Sequence, residues 1–422
     1  MNNTIMIIED SLIEYFGNTT KDLIHSIVSE NGLVCYQIRK NDQSVKCQSY
    51  HGIVIGVELM CNDKENKTKI LNVVMKRASN NDGLRAQIML NELYTREAYI
   101  YNVVFTALEQ FEINKKLRPT EYAPKFYKAK LEYKNETLVL EDLKKNYNYK
   151  MYPLSKEMDA KHVSLVLEKY AQLHALSFAL RDQRLEEFKE ITNPMDELYT
   201  KFVEKMNYVK TLKLVSLKCL RSLGDVKTKV YKAYKDHIKN IDKMFDDIRN
   251  SVSDDFSTVI HGDGWTNNIM FKYDDPNDPD KPMSVRFIDF QLARLGPPVL
   301  DVAFFLYTCS EKKVIGTLED YLRLYYNSLA AHLIKLGSNP DKVYPYCVFL
   351  KQWRKYAKVG LTLAIPLIYL LLTDASEMVD FTDIAEVDVC IVYAFSNEIA
   401  KRDLYYNRVK HIILHFVDNG FI

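Results

Sequence analysis

Hydrophobic and polar positions divide the chain into a strand-rich first third and a mostly helical remainder. Residues 9–30 read as a helix that stops at Asn31-Gly32, a usual termination signal. Strand-like segments follow at 33–39, 45–50, 53–60 and 70–76, separated by polar turns such as Lys40-Asn41-Asp42. A helix is predicted over about 84–110, with a stripe of Tyr94, Glu97, Tyr101, Val104 or Phe105, and Leu108 in steps of three and four. Another strand at 137–140 leads into Glu141-Asp142-Leu143. From 155 onward helical patterning dominates, broken by apolar runs at Ile269-Met270-Phe271 and 285–288 that read as a strand pair. The stretch 273–282 between them, with three prolines among its carboxylates, reads as an exposed hairpin tip and not as a metal site. This order fits an α+β protein of two lobes, 1–143 and 144–422. The longest apolar run, 359–372, is interrupted by Gly360, Thr362 and Pro366 and falls short of the roughly 20 residues a bilayer demands. A buried helix is expected there, and no membrane span.

The polar residues set around the strand pair carry the most chemistry. His261-Gly262-Asp263-Gly264-Trp265-Thr266-Asn267-Asn268 precedes the first strand, and Ile288-Asp289-Phe290-Gln291 closes the second. Phosphoryl transfer needs a carboxylate near the attacking hydroxyl, oxygen ligands for Mg²⁺, and cations on the phosphates. An Asp followed five residues later by an Asn, with a second Asp beyond a strand, supplies the first two. Asp263 is the candidate base, and Asn268 and Asp289 are the candidate metal ligands. A polar hairpin built of ordinary turn residues is the competing reading. The completeness of the set favours a kinase-type site.

The other parts of such a site are sought upstream. Glu97 falls on the apolar face of its helix, where an unpaired carboxylate is expensive, so it should have a cationic partner. Lys76 ends the strand before that helix and fits the lysine that contacts the phosphates while a helix glutamate holds it. Lys69, Arg77, Glu92 and Arg96 offer rival pairings. Tyr50-His51-Gly52-Ile53-Val54-Ile55-Gly56 occupies the place of a phosphate-cradling loop, with Gly52 and Gly56 as its glycines, and equally suits an edge strand. Glu141 to Leu143 would form the hinge that meets adenine through its backbone. Asp301, ahead of an apolar helix, reads as a buried anchor for the catalytic-loop backbone, with helix capping as the alternative. His174 reads as a packing residue. His411 and His415, an i,i+4 pair without the glutamate of HExxH, read as structural.

Composition narrows the remaining classes. A formal net charge of +1 gives no electrostatic case for nucleic acid or an anionic membrane. Residues 198–250, with thirteen Lys or Arg against six Asp or Glu, are the local exception and read as solvated helices. Seven dispersed cysteines without a CxxC pair argue against a disulfide framework or structural zinc and suit a reducing compartment. The first ten residues lack the basic segment of a secretory signal, so a cytoplasmic protein is expected.

Taken together, Val139-Leu140-Glu141-Asp142-Leu143, Leu173-His174-Ala175-Leu176-Ser177, the Asp263 and Asp289 motifs, Asp301 before its apolar helix, and Glu97 with Tyr101 resemble the ecdysteroid kinase-like family of insects. That family is related to choline kinases and aminoglycoside phosphotransferases. The resemblance implies a protein-kinase-like fold, ATP with Mg²⁺ as donor, and the hydroxyl of a small, often lipophilic alcohol as acceptor. It assigns the catalytic role to Asp263, metal ligation to Asn268 and Asp289, phosphate contact to Lys76, and structural support to His261 and Asp301. There are departures: the family usually has Leu at Gly264 and Val at Thr266, and Asn and Ser in the loop that here reads Gly52 to Gly56. A polar or cationic acceptor, or a non-catalytic nucleotide-binding role, is the alternative. Residues 311–422 balance thirteen acids with thirteen bases and so give no support for a cation trap. For a lipophilic acceptor the expected lining is Tyr321, Tyr325, Tyr344, Tyr346 and Tyr369 with Phe349 and Trp353, although core packing competes for each. Trp265 is the substrate-side candidate beside Asp263.

Overall fold

The computed structural model describes residues 7–8, 12, 19–41, 47–49, 52–195, 198–225, 228–251, 255–275, 278–374, 376–377, 395 and 397–422. Strands β1 (Ile7–Ile8), β2 (Val34–Lys40), β3 (Cys47–Ser49), β4 (Gly52–Asn62), β5 (Thr68–Ala78), β6 (Phe126–Lys130) and β7 (Thr137–Glu141) form one sheet. Its order is β1-β2-β4-β5-β7-β6, with β3 also pairing β4. Burial alternates along β4, so that Ile55, Val57, Leu59 and Cys61 share one face. With Val73, Met75 and Val139, that face packs on Leu23, Ile24, Ile27 and Val28 of helix α1 (Thr19–Glu30). Lys76 follows Met75 and therefore projects from the opposite face. There helix α2 (Leu90–Tyr99) docks through Leu93 and Tyr94 against Ala78 and Leu138.

The helix predicted over 84–110 is several pieces. Asn81 caps a short segment, Asp82–Gln87, by accepting from Leu84 N at 2.9 Å; α2 follows, and a π-helical turn at Ile100–Val104 joins it to Phe105–Asn114. Strand β6 escapes the sequence pattern because all five of its residues are half-buried and show no period of two. After β7, Asp142 caps the helical turn Leu143–Tyr147, accepting from Lys144 N at 2.9 Å and Lys145 N at 3.1 Å.

The remainder is mostly helical, and α3 (Ala160–Gln183), α4 (Leu198–Lys205), α5 (Tyr208–Arg221), α6 (Val299–Cys309), α7 (Tyr346–Leu372) and α8 (Arg402–Asp418) frame the site. Helices α6 and α7 approach so closely that a Cβ at Gly360 would stand 2.5 Å from Ala303 O. Helix α7 contains the 359–372 run. It is long and apolar enough to cross a bilayer, yet 78% of its apolar window is buried inside the protein, which makes it a core helix. Two small sheets interrupt the helices. One is the hairpin of β10 (Ile269–Tyr273) and β11 (Pro282–Phe287), extended by β8 (Lys150–Met151); the other pairs β9 (Thr258–Ile260) with β12 (Arg294–Gly296). Both polar motifs lie in the connections between these strands. A curled sheet lobe over a helical lobe is the two-lobed, kinase-like α+β architecture.

Candidate active site

The catalytic-type loop begins where β9 ends. Gly262 adopts φ of +78°, and a Cβ there would lie 2.3 Å from Leu292 O, so only glycine fits. Asp301, in the first turn of α6, takes the two backbone amides at this bend: His261 N donates to Oδ2 at 2.7 Å and Gly262 N to Oδ1 at 2.9 Å. His174 on α3 is the third donor, with Nε2 3.2 Å from Asp301 Oδ2 and Nδ1 2.8 Å from the Tyr325 hydroxyl. Burial alone would raise the Asp301 carboxyl, but His174 and its other partners hold it below the usual carboxylate range. His261 donates from Nε2 to Ile288 O at 3.0 Å and accepts at Nδ1 from Asp263 N at 3.2 Å. Both bonds need the neutral Nε2–H tautomer, and burial pushes the imidazole pKa down. Ile288 N donates to Asn268 O at 3.0 Å, lacing the Asp263 and Asp289 loops side by side.

Within this frame Asp263 is held by its neighbours. Asn268 Nδ2 donates to Asp263 O at 2.8 Å and to Asp263 Oδ2 at 3.0 Å, and the Trp265 side chain is a second donor to the carboxylate. Burial and the charge of Asp289 nevertheless push this carboxyl well up. Asp289 has φ of +65°, a left-handed backbone that Asp tolerates better than most residues. Its Oδ1 lies 2.9 Å from Lys76 Nζ, and Glu97 Oε2 lies 2.7 Å from the same nitrogen. Burial pushes the Glu97 carboxyl up to about 7 against the pull of Lys76. For Lys76, burial favours the neutral amine, but Asp289 and Glu97 outweigh it and keep the ammonium charged. The rival residues are engaged elsewhere: Lys69 with Asp63 at 3.9 Å, Arg77 with Lys134 O and Asn135, and Arg96 with Ala293 O at 2.8 Å.

This donor set fits a divalent cation. Asp263, Asp289 and Glu97 crowd around a single ammonium, and the upward push on the Asp263 and Glu97 carboxyls is a repulsion that a second cation would relieve. Asp289 and Asn268 offer hard oxygen ligands of the kind Mg²⁺ takes. The Asn268 amide NH₂ is committed to Asp263, which leaves the carbonyl oxygen as its ligand atom.

Gly52 and Gly56 do not form a loop. Both lie within β4, opposite Ala78 and Val74 of β5. A Cβ at Gly52 would stand 2.0 Å from Arg77 O and 3.0 Å from the Tyr94 hydroxyl, so this glycine lets the two strands close beside α2. Gly56 faces Asn41 and Asp142, which bond to each other at 3.2 Å. Tyr50 and His51 lie outside the described residues. The Glu141 carboxylate is engaged by Arg286 at 3.2 Å and by the Tyr147 hydroxyl at 2.8 Å, and Arg286 also pairs with Glu121, fastening the end of β7 to β11. Leu143 packs with Tyr149 and Met270 and against Met151 and Ile288, an apolar surface at the end of β7.

Several other candidates have close partners within the helical lobe. Trp265 is only 7% exposed and packs in the helical core while bonding Asp263. The late aromatics have one another as partners: Tyr344 stacks on Phe178, Tyr346 and Tyr326 on Phe349, Trp353 meets Tyr307 and Phe421, and Tyr369 meets Phe395 and Tyr405. His174, read as packing, links Tyr325 to Asp301. His411 and His415 stand on α8, and among the described residues no cluster of three His, Cys, Asp or Glu could hold a metal.

Sequence reasoning missed two tyrosines that feel the charge of Asp263. Tyr199 on α4 and Tyr208 on α5, both from the basic stretch 198–250, sit within reach of its charge. Burial pushes the Tyr199 hydroxyl up to about 12, with Arg294 opposing and Asp263 reinforcing the shift. The Arg294 guanidinium lies 3.9 Å from the centre of the Tyr199 ring, and its Nη1 would be 2.5 Å from a Cβ on Gly262. The charge count of 198–250 hides these tyrosines, and only the amphipathic spacing of α4 marks Tyr199 as inward-facing.

The Lys76–Glu97 pair of the sheet lobe reaches Asp289 beside the Asp263–Asn268 loop of the helical lobe, the arrangement of a small-molecule kinase. The chain belongs to the ecdysteroid kinase-like family, whose profile matches residues 46–338. No curated protein matches it in sequence. Among solved structures it is similar to an aminoglycoside phosphotransferase from Alicyclobacillus acidocaldarius, with 14% identity over 85% of this chain and 90% of that one and a TM-score of 0.35. It is also similar to the GDP complex of wild-type aminoglycoside 2′-phosphotransferase-IIIa, with 9% identity over 95% of this chain and 99% of that one and a TM-score of 0.39.

Proposed function

We propose that the protein transfers the γ-phosphoryl group of ATP, with Mg²⁺, to a hydroxyl of a small lipophilic alcohol. The observation that carries this reading is the Lys76 ammonium fixed between Glu97 at 2.7 Å and Asp289 at 2.9 Å. Lys76 would meet the α- and β-phosphates, and Glu97 sets where it stands. The apolar surface of Leu143, Met270 and Ile288 suits a purine at the junction of lobes 1–143 and 144–422. Bound Mg²⁺ neutralises charge on the β- and γ-oxygens, and Asp289 and Asn268 are the residues that would hold it. Asp263 takes the proton as the acceptor oxygen attacks phosphorus, with Asn268 and Trp265 keeping its carboxylate oriented. Five free cysteines among the described residues suit a cytoplasmic enzyme.

Two tests bear on the donor and acceptor halves. Asp289→Asn replaces a charged ligand with a neutral amide and should raise the Mg²⁺ concentration for half-maximal ADP release by about tenfold or more. An unchanged Mg²⁺ requirement would move the metal elsewhere. On the acceptor side, the charge of Asp263 is felt at the Tyr199 and Tyr208 hydroxyls, and the Arg294 guanidinium lies against the Tyr199 ring. Membership of the ecdysteroid kinase-like family supports a lipophilic alcohol over choline-like and aminoglycoside-like molecules. A panel of ecdysteroids, other hydroxylated lipophiles, choline and aminoglycosides, with Asp263→Asn as blank, should rank the lipophiles first. Preference for choline or an aminoglycoside by about tenfold in kcat/KM, roughly 1.4 kcal/mol of transition-state discrimination, would overturn the lipophile reading.

A further inference from the structure

Two catalytic-loop residues that depart from the family pattern, Gly264 and Thr266, each face a specific side chain from the helical lobe. A Cβ built on Gly264 would stand 1.5 Å from the Tyr170 hydroxyl and 2.9 Å from Tyr170 Cζ. The oxygen of Tyr170 therefore occupies the volume that any side chain at 264 would need. Tyr170 has no freedom to withdraw: it is fully buried on α3, stacked on Phe287 at 4.4 Å and on His174 at 5.6 Å. Its hydroxyl has no hydrogen-bond partner, so polar bonding does not explain why a tyrosine stands there. Thr266 donates to the Cys309 thiol at 3.4 Å, from the helix that also carries Asp301.

We propose that Tyr170 is a positioning residue for Asp263, a wedge from α3 that supports the catalytic loop through the space left open by Gly264. This rests on the reading of Asp263 as the base. The wedge fixes the height of the loop one residue beyond Asp263, Asp301 fixes it two residues before and one residue before, and Thr266 on Cys309 fixes it beyond Trp265. Loop and helix are thus matched in shape, and a side chain at 264 is tolerated only if the tyrosine oxygen goes.

The test is a double-mutant cycle of Gly264→Ala and Tyr170→Phe, read as ADP release from MgATP with water as acceptor. Gly264→Ala alone should lower kcat on the order of 10²-fold, the scale of a misplaced catalytic group, with KM for ATP changed by less than about threefold. Tyr170→Phe alone should lower kcat by about tenfold, because the loop loses the oxygen that supports it, with KM for ATP changed by less than about threefold. The double variant should recover about tenfold over Gly264→Ala, short of full recovery because Cζ remains close. A second readout uses the scarcity of tryptophan: the chain has two, and Trp265 adjoins Gly264. In a Trp353→Phe background, acrylamide quenching of Trp265 should rise in Gly264→Ala and revert when Tyr170→Phe is added. If Gly264→Ala gives no folded protein, recovery of folded protein in the double variant is the same test. A double variant as impaired as Gly264→Ala in both readouts overturns the proposal. Coupling in fluorescence without coupling in ADP release keeps the wedge and removes Asp263 as the base it serves.

Discussion

Asp263→Asn is expected to lower turnover by about 10²–10⁴, the scale of a positioned general base, while fold and nucleotide binding persist. The carboxylate at 263 accepts from two side chains, Asn268 and Trp265. An amide has one acceptor oxygen where the carboxylate has two, and it is a neutral, weaker acceptor for both donors. The substitution therefore removes the proton acceptor and also loosens the group that replaces it. The loop itself stays in place, because Asp301 holds it through the backbone amides of His261 and Gly262 rather than through the side chain at 263. The side chains of Lys76, Glu97 and Asp289 are untouched and keep their mutual contacts, so the affinity for an ATP analogue should stay within about threefold of wild type. Calorimetric titration, thermal melting and ADP release separate these effects. Turnover near the wild-type value would remove Asp263 as the base.

The two-lobed fold is legible in the sequence because its strands and helices keep their periods. Alternation along 70–76 sets Lys76 and Met75 on opposite faces, and the stripe around Glu97 turns that carboxylate inward, so both partners of the pair are marked before any contact is known. What the pattern does not mark are contacts between segments distant in sequence. Gly52 and Gly56 read alike whether they cradle a ligand or let strands close, and the closeness of Arg77 O to the Cβ position of Gly52 is a contact the sequence does not mark. Tyr199 and Tyr208 lie among lysines, so local charge masks inward residues that feel the charge of Asp263. The late tyrosines show the converse: an inward tyrosine on a helix looks the same whether it meets a ligand or Phe349. Strand β6 is invisible for a different reason, since a strand half-buried on both faces loses the alternation that identifies one.

Lys76→Met should abolish measurable phosphoryl transfer and also destabilise the protein, and the two effects separate by pH. The side chains of Lys76 and Glu97 are 7% and 1% exposed, so removing the ammonium strands a carboxylate beyond the reach of water. Breaking such a buried pair from one side costs about 3–5 kcal/mol when the remaining charge stays ionised. Glu97 has an escape, because burial already pushes its carboxyl up to about 7 with Lys76 present. Without that cation it rises further, and the group takes up a proton. A carboxyl whose folded pKa exceeds its unfolded value lends stability that is present at low pH and lost as pH rises through the folded pKa. The Lys76→Met variant should therefore lose more melting temperature, relative to wild type, at pH 8 than at pH 6. Adding Glu97→Gln should erase that pH dependence and restore part of the stability at pH 8, without restoring transfer, since no cation then meets the phosphates. Thermal melts of the three variants across this range decide the matter. A Lys76→Met penalty that is flat with pH, or a Glu97→Gln single variant with wild-type turnover and stability, would mean that Glu97 does not set the position of Lys76.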